Sequence, residues 1–247
     1  MVCGLKKAYS MPDDFAERAA GLDWQTLQQS LDEHGYVKLP ALLNQSECQE
    51  IIDTYEVQDH FRSTIDMARY RFGIGEYKYY GAPLPTLLQQ LRVSLYPQLA
   101  QTANRWLGLL GDTAAYPATL TQFLDRCHAE GQTRSTPLIL KYEAGGYNCL
   151  HQDLYGSVFF PFQAVFALNQ QEKDYTGGEF LLVEQRPRAQ SRGHVITLEQ
   201  GEALIFPTQH RPVSGTRGYY RTTLRHGVST VKSGTRYSLG IIFHDAK

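Results

Sequence analysis

The sequence is short of several things that would narrow its class at once. Its four cysteines, Cys3, Cys48, Cys127 and Cys149, form no Cys-x-x-Cys pair. Neither a disulfide framework nor a zinc site is indicated, and reduced thiols are the expectation. No apolar run reaches the roughly 18 residues that a membrane span needs. The first seven residues lack the apolar core of a secretory signal, so a cytoplasmic location is expected. Net charge is almost absent too, with 24 Lys and Arg against 25 Asp and Glu. There is no basic tail to drive indiscriminate binding to a polyanion.

What is present describes a soluble globule: 247 residues, 42% hydrophobic and 12% aromatic. That length suits a single β-barrel or β-sandwich domain with a helical preface. The near-neutral total hides an uneven distribution. Between Arg186 and Arg236 lie nine basic residues, at 186, 188, 192, 211, 217, 221, 225, 232 and 236, against only Glu199 and Glu202. Such a concentration favours an anionic substrate or cosubstrate, or else forms an ordinary solvated face.

The first 135 residues are expected to be a flank of helices and strands. Asp23 can cap a helix carrying Trp24, Leu27 and Leu31 on one face, and Gly35 can end it. Asn44 and Glu47 have capping-box spacing ahead of a helix from about 46 to 55. Residues 83–111 should be helical with a break or kink near Pro97, and a further helix should cover 120–130. Between them, residues 61–80 interleave Arg62, Arg69, Arg71 and Lys78 with Phe61, Tyr70, Phe72, Tyr77, Tyr79 and Tyr80. Aromatic faces among cations suit a single-stranded nucleic-acid platform, or an amphipathic strand packed on the core.

From 136 to 247 the pattern changes to short β-rich runs separated by glycine and proline: 137–143, 147–153, 162–169, 179–184, 194–199, 203–207, 222–231 and 236–243. Eight such runs fit a double-stranded β-helix, a jelly-roll or cupin-like core, so the fold expected is mainly β with flanking helices. The basic insert at 207–221 is expected to form a lip over the site. Flank and core together make one structural domain.

The chemistry is placed at His151-Gln152-Asp153. On extended backbone, residues two apart share a face, so this imidazole and carboxylate converge and can share a metal. Eight His and twelve Asp supply about 0.4 such triplets by chance, so context must decide. That context is His226, followed ten residues later by Arg236, which opens an apolar strand.

Together these motifs resemble the Fe(II)/2-oxoglutarate-dependent oxygenases, in which two His and one carboxylate hold iron on one face. The resemblance implies that His151, Asp153 and His226 are the iron ligands. It also implies that Arg236 receives the distal carboxylate of 2-oxoglutarate, supported by Tyr142. His210 is the rival third ligand, with Arg217 or Arg221 then inheriting the cosubstrate role. His34, His60, His128, His194 and His244 are read as structural or surface histidines, and Cys149 as a small filler beside the site.

The stretch from Tyr147 to Asp245, with Thr176 to Phe180, Glu184 to Arg192, His210 to Gly218 and Leu224 to Ser229, is similar to a bacterial oxygenase group described as acting on alkylated, damaged DNA. The implied reaction uses Fe(II), 2-oxoglutarate and O2, hydroxylates a substrate C–H bond, and releases succinate and CO2. On nucleic acid it would remove N-methyl groups from a base withdrawn from its stack, with 186–192, 211–225 and 61–80 as contacts. The alternatives are a hydroxylase of a free amino acid or other small anionic metabolite, and a non-catalytic cupin-like binding module.

Overall fold

Local signals in the first third of the chain form the elements they predict. The computed structural model describes residues 15–247, and residues 1–14, which include Cys3 and the N-terminal run read above, lie outside the described residues. Helix α1 spans Phe15–Ala20 and α2 spans Trp24–His34. Asp23 accepts a hydrogen bond from the Thr26 N–H at the start of α2. Gly35 ends the helix at φ +82°, its N–H donating to the Leu31 carbonyl. After β1 (Val37–Leu39), helix α3 (Gln45–Asp53) opens on the reciprocal Asn44 and Glu47 box. Strands β2 (Phe61–Asp66), β3 (Gly73–Ile74) and β4 (Glu76–Tyr80) follow, then α4 (Thr86–Leu109) and α5 (Leu120–Ala129).

Of the break or kink expected at Pro97, the break does not occur: helix α4 continues through it. Proline removes one intrahelical hydrogen bond, but buried Leu91, Leu95, Tyr96, Leu99, Ala100, Ala103 and Trp106 hold both halves of the helix to the body. The carbonyl that Pro97 leaves without a donor belongs to Val93, an exposed residue, so water can reach it. Packing on both sides of the proline outweighs the local penalty.

The second half of the chain supplies β5 (Leu138–Glu143), β6 (Tyr147–His151), β7 (Phe162–Ala167), β8 (Tyr175–Gly177), β9 (Phe180–Gln185), β10 (Arg192–Ile196), β11 (Ala203–Pro207), β12 (His210–Gly215), β13 (Gly218–Val228) and β14 (Val231–Ile242). One antiparallel sheet runs β1-β11-β7-β14-β5-β4-β2, with β8 on β14; the other runs β10-β9-β13-β6-β3, with β12 on β13. These are the two facing sheets of a double-stranded β-helix. The N-terminal flank contributes β1, β2, β3 and β4 to them. The expected lip at 207–221 is instead β12 and the start of β13, closed by a hairpin in which Gly215 faces Gly218. Alternating basic residues and Pro212 masked that strand pair in the sequence.

Alternation along the strands divides two cores and leaves the site between the sheets. Ile139, Ala164, Phe166, Ala203, Ile205, Leu239 and Ile241 pack outward with the helices. Val165, Ala167, Leu204 and Phe206 point the other way, against Phe180, Leu182, Ile196 and Leu224 of the second sheet. Burying each such side chain contributes about 1.5–3 kcal/mol, and truncating fully buried Phe166 to alanine costs about 3–5 kcal/mol. No described helix is long and apolar enough to cross a membrane.

Candidate metal centre and cosubstrate pocket

Register places the two histidines. On the antiparallel pair β6 and β13, His226 lies directly opposite His151, and their ring centroids are 4.2 Å apart. Asp153 follows two residues beyond His151. Its Oδ2 is 3.2 Å from His226 Nε2, and its Oδ1 is 3.6 Å from His151 Nε2. One ligand atom from each residue falls within 4.8 Å of the others. Gln152, between His151 and Asp153, donates to the carbonyls of Leu224 at 2.8 Å and Gln209 at 3.3 Å. That clamp holds the turn after β6 against β13.

The protonation states suit a cation. His151 Nδ1 lies 2.8 Å from the Cys149 carbonyl. A carbonyl only accepts, so Nδ1 carries a proton, which leaves Nε2 as the ring atom that faces Asp153. Burial, reinforced by His151, lowers the basicity of His226 despite the opposing Asp153, and favours the neutral imidazole. Burial alone would raise the Asp153 carboxyl. The hydrogen bond and charge of His226, the charge of His151 and the Tyr155 hydroxyl outweigh it and hold the group well below the usual carboxylate range. Two imidazoles and one ionised carboxylate on one side of a cavity form a donor set suited to non-haem iron(II).

Behind Asp153 stands a support that the sequence reading missed. The Tyr155 hydroxyl donates to Asp153 Oδ1 at 2.6 Å and lies 3.0 Å from the Tyr79 hydroxyl, which donates to it. Burial and the neighbouring carboxylate push the Tyr155 phenol well up, so it remains a donor. Tyr155, two residues past Asp153, could have been suspected from spacing, but Tyr79, 76 residues away, could not.

The cavity holding the trio measures about 300 Å³, and Arg236 sits in its wall. Its guanidinium is buried, 5.6 Å from the Tyr142 ring and 5.9 Å from the Tyr175 ring. One arm donates to Ser238 Oγ at 3.0 Å, while Nε has no protein partner. Tyr142 is fully buried, its hydroxyl accepts from Asn148 at 3.3 Å, and burial pushes its phenol up to about 12. A buried cation with an unmade hydrogen bond beside a hydroxyl is a place for an anion. Gly178, at φ +64°, makes room for the Arg236 side chain, since a Cβ there would come within 2.9 Å of Arg236 Cδ. Ser238 was missed in the sequence, although it lies two residues from Arg236 on the same strand face. Gln163 also lines this cavity, with its Nε2 unpartnered.

The other histidines stand elsewhere. His210 faces Thr223 across β12 and β13 and lines a second cavity with Trp106 and Arg221, so it does not join the trio. His244 is fully buried, its Nδ1 accepting from the Phe160 N–H at 3.2 Å. His128 lies 3.1 Å from Asp245, and His194 packs edge-on against Tyr36. Cys149 is exposed at the cavity rim, so the small buried filler expected there is corrected: Leu150 beside it is exposed as well, and this end of β6 is open to solvent. Of the nine basic residues between 186 and 236, only Arg236 lines this cavity. Arg186 and Arg211 pair with buried Glu184.

Solved structures share this architecture. A Pseudomonas putida prolyl-4-hydroxylase superposes with a TM-score of 0.56 at 15% identity, covering 91% of this chain and 99% of that one. A 2OG-Fe(II) oxygenase-family oxidoreductase from Burkholderia pseudomallei gives 0.51 at 16% identity, over 92% and 93%. The fold is thus that of the 2OG-Fe(II) oxygenases. Residues 75–246 match the Oxygenase-NA family, described as "oxygenase, catalysing oxidative methylation of damaged DNA", and the chain belongs to that family. An uncharacterized protein of Mycobacterium tuberculosis strain H37Rv is 53% identical over 164 residues, 66% of this chain and 70% of the relative.

Proposed function

We propose that the protein is an Fe(II)- and 2-oxoglutarate-dependent dioxygenase in which His151, Asp153 and His226 hold the metal. The observation that carries this reading is the convergence of two imidazoles and one carboxylate beside a buried, partly unpaired guanidinium. Bound there, iron(II) with 2-oxoglutarate and O2 supplies hydroxylation of a substrate C–H bond, coupled to conversion of the cosubstrate to succinate and CO2. The chain's own part is to bind, orient and shield. Arg236 and Ser238 receive the distal carboxylate of 2-oxoglutarate, and the Tyr142 ring backs the guanidinium. Tyr155 holds Asp153 in one rotamer. Phe180 and Phe206 pack on the His226 ring and exclude water from its far side.

The family's description supports a finer reading, oxidative removal of N-methyl groups from alkylated nucleic-acid bases. In that reading a single base enters the cavity past Arg71, Phe72 and Leu150 at its rim. The decisive experiment is Fe(II)-dependent succinate formation from 2-oxoglutarate. It is expected in the wild type and should be abolished by His151→Ala; turnover unaffected by that change would refute the assignment. A pool of methylated nucleosides, oligonucleotides and amino acids, assayed for demethylated or hydroxylated product, separates base repair from hydroxylation of a small anionic metabolite.

A further inference from the structure

Exposed apolar side chains are unevenly placed on this molecule. Ten large hydrophobic residues are exposed among the described residues, and six of them belong to the segments bordering the cavity: Tyr70, Phe72, Ile74, Tyr147, Leu150 and Leu154. The backbone gathers them. Strand β3 pairs with β6 so that Ile74 faces Tyr147, and the Cys149 N–H donates to the Phe72 carbonyl at 2.7 Å. Leu150 and Leu154 flank the two ligands of the His-x-Asp turn. At the tip, the Tyr70 and Phe72 rings stack at 5.7 Å, 18° from parallel, with both more than two-fifths exposed. Arg71 between them adopts a left-handed conformation, φ 58°, and reaches the cavity wall along with Phe72.

From this geometry we infer that the 70–74 tip is a stacking platform that seats a short single-stranded stretch of nucleic acid over the cavity. The inference rests on the nucleic-acid reading above and adds where and how the strand binds. Flat, parallel, solvent-facing rings fit planar bases, and the cavity beside them takes one base of the strand. The cations available at the tip are few. Arg71 lines the cavity, and Arg69, largely exposed, pairs only loosely with Asp66 at 3.7 Å. The other cations of this stretch are already engaged. Lys78 is buried and donates to the Tyr55 carbonyl, and Arg62 donates to the Ser135 carbonyl. Stacking, not phosphate neutralisation, then supplies most of the affinity. A duplex, with its rings hidden in the stack, gains little from such a surface.

The test is fluorescence anisotropy of a labelled single-stranded DNA octamer carrying one N-methylated adenine, titrated with the full chain. Two phosphate contacts on a single strand give a salt slope of about −1.4, so affinity should fall only about seven-fold between roughly 50 and 200 mM salt. Tyr70→Ala and Phe72→Ala should each weaken binding by about ten-fold or more, whereas Tyr70→Phe and Phe72→Tyr retain it. Circular dichroism on each variant confirms that the fold is kept. Duplex binding as tight as single-strand binding, ring-truncated variants that bind like the wild type, or capture of a labelled apolar decapeptide in place of the octamer would each overturn the inference. Wild-type succinate formation, measured without any strand, keeps the two readings apart. If it occurs and the octamer does not bind, the platform fails and the oxygenase stands. If it is absent and the octamer binds as described, the reverse holds.

Discussion

Replacing Arg236 by methionine should separate stability from cosubstrate binding in opposite directions. In the structure Arg236 is 4% exposed, and its guanidinium makes one hydrogen bond to Ser238 and leaves Nε unpaired. Holding that charge out of water is costly until an anion arrives. Methionine fills a similar volume against Tyr142 and Tyr175 without that cost, so the cosubstrate-free protein should be unchanged or stabilised by up to about 2 kcal/mol. For a chain of this size that is an upward shift of roughly 4–8 °C in Tm. Binding of 2-oxoglutarate moves the other way. Losing the charged partner of a buried carboxylate costs about 3–5 kcal/mol, a rise of some 10²–10³-fold or more in Kd. Arg236→Lys, which keeps the charge and loses the fork, should fall between. Calorimetric titration of the Mn(II)-loaded protein with 2-oxoglutarate, beside a thermal melt without it, reads both quantities. A variant whose 2-oxoglutarate affinity changes less than about three-fold would refute the assignment of Arg236. A variant destabilised by several kcal/mol would refute the view that its charge is unsatisfied in the free protein.

Removing the Tyr155 hydroxyl with Tyr155→Phe should weaken metal binding about 10–100-fold, read by Co(II) absorption titration, with little change in Tm; unaltered affinity would mean that the 2.6 Å contact to Asp153 positions nothing. His226→Ala should abolish Co(II) binding at stoichiometric metal, whereas His210→Ala should leave it intact, and the opposite pattern would restore His210 as a ligand. His244 predicts an acid-side loss of stability. Burial lowers its pKa from 6.5 to about 4, outweighing the opposing charges of Asp153 and Asp245, with Arg92 acting in the same direction as burial. The unfolded chain therefore binds the extra proton first, and stability present above pH 6.5 declines as pH falls toward 4, by about 3 kcal/mol in total. Urea melts between these pH values should show that slope, and His244→Gln should flatten it. Asn44→Ala, which removes the capping box of α3, should cost about 1 kcal/mol, checked by the same melts.

The parts of the site that could be read in the sequence are those whose geometry is local. His151 and Asp153 converge because alternation on extended backbone is a property of neighbouring residues. The ten-residue interval from His226 to Arg236 spans one turn between consecutive strands, β13 and β14, which lie in the two facing sheets. Helix caps at Asp23, Gly35 and Asn44 were legible for the same reason, since each involves groups within four residues. Pro97 does not break α4 because its penalty is local and the packing that overrides it is not.

Distance along the chain marks where sequence reasoning stops. The basic run from Arg186 to Arg236 read as one electrostatic feature, but Arg211 is spent on Glu184, Arg221 lines a different cavity, and only Arg236 faces the trio. Partners are chosen by strand order, which composition does not encode. Tyr79 reaches Tyr155 because β4 adds to the edge of β5, and Tyr70 and Phe72 border the cavity because β3 adds to β6. The linear chain by itself determined the candidate ligand types, their spacing and the β-rich architecture, since alternation, capping and turn chemistry act over a few residues. Only the tertiary structure decided which histidine completes the trio, which arginine stays unpaired and which aromatics face solvent, because those outcomes depend on the register of strands far apart in sequence.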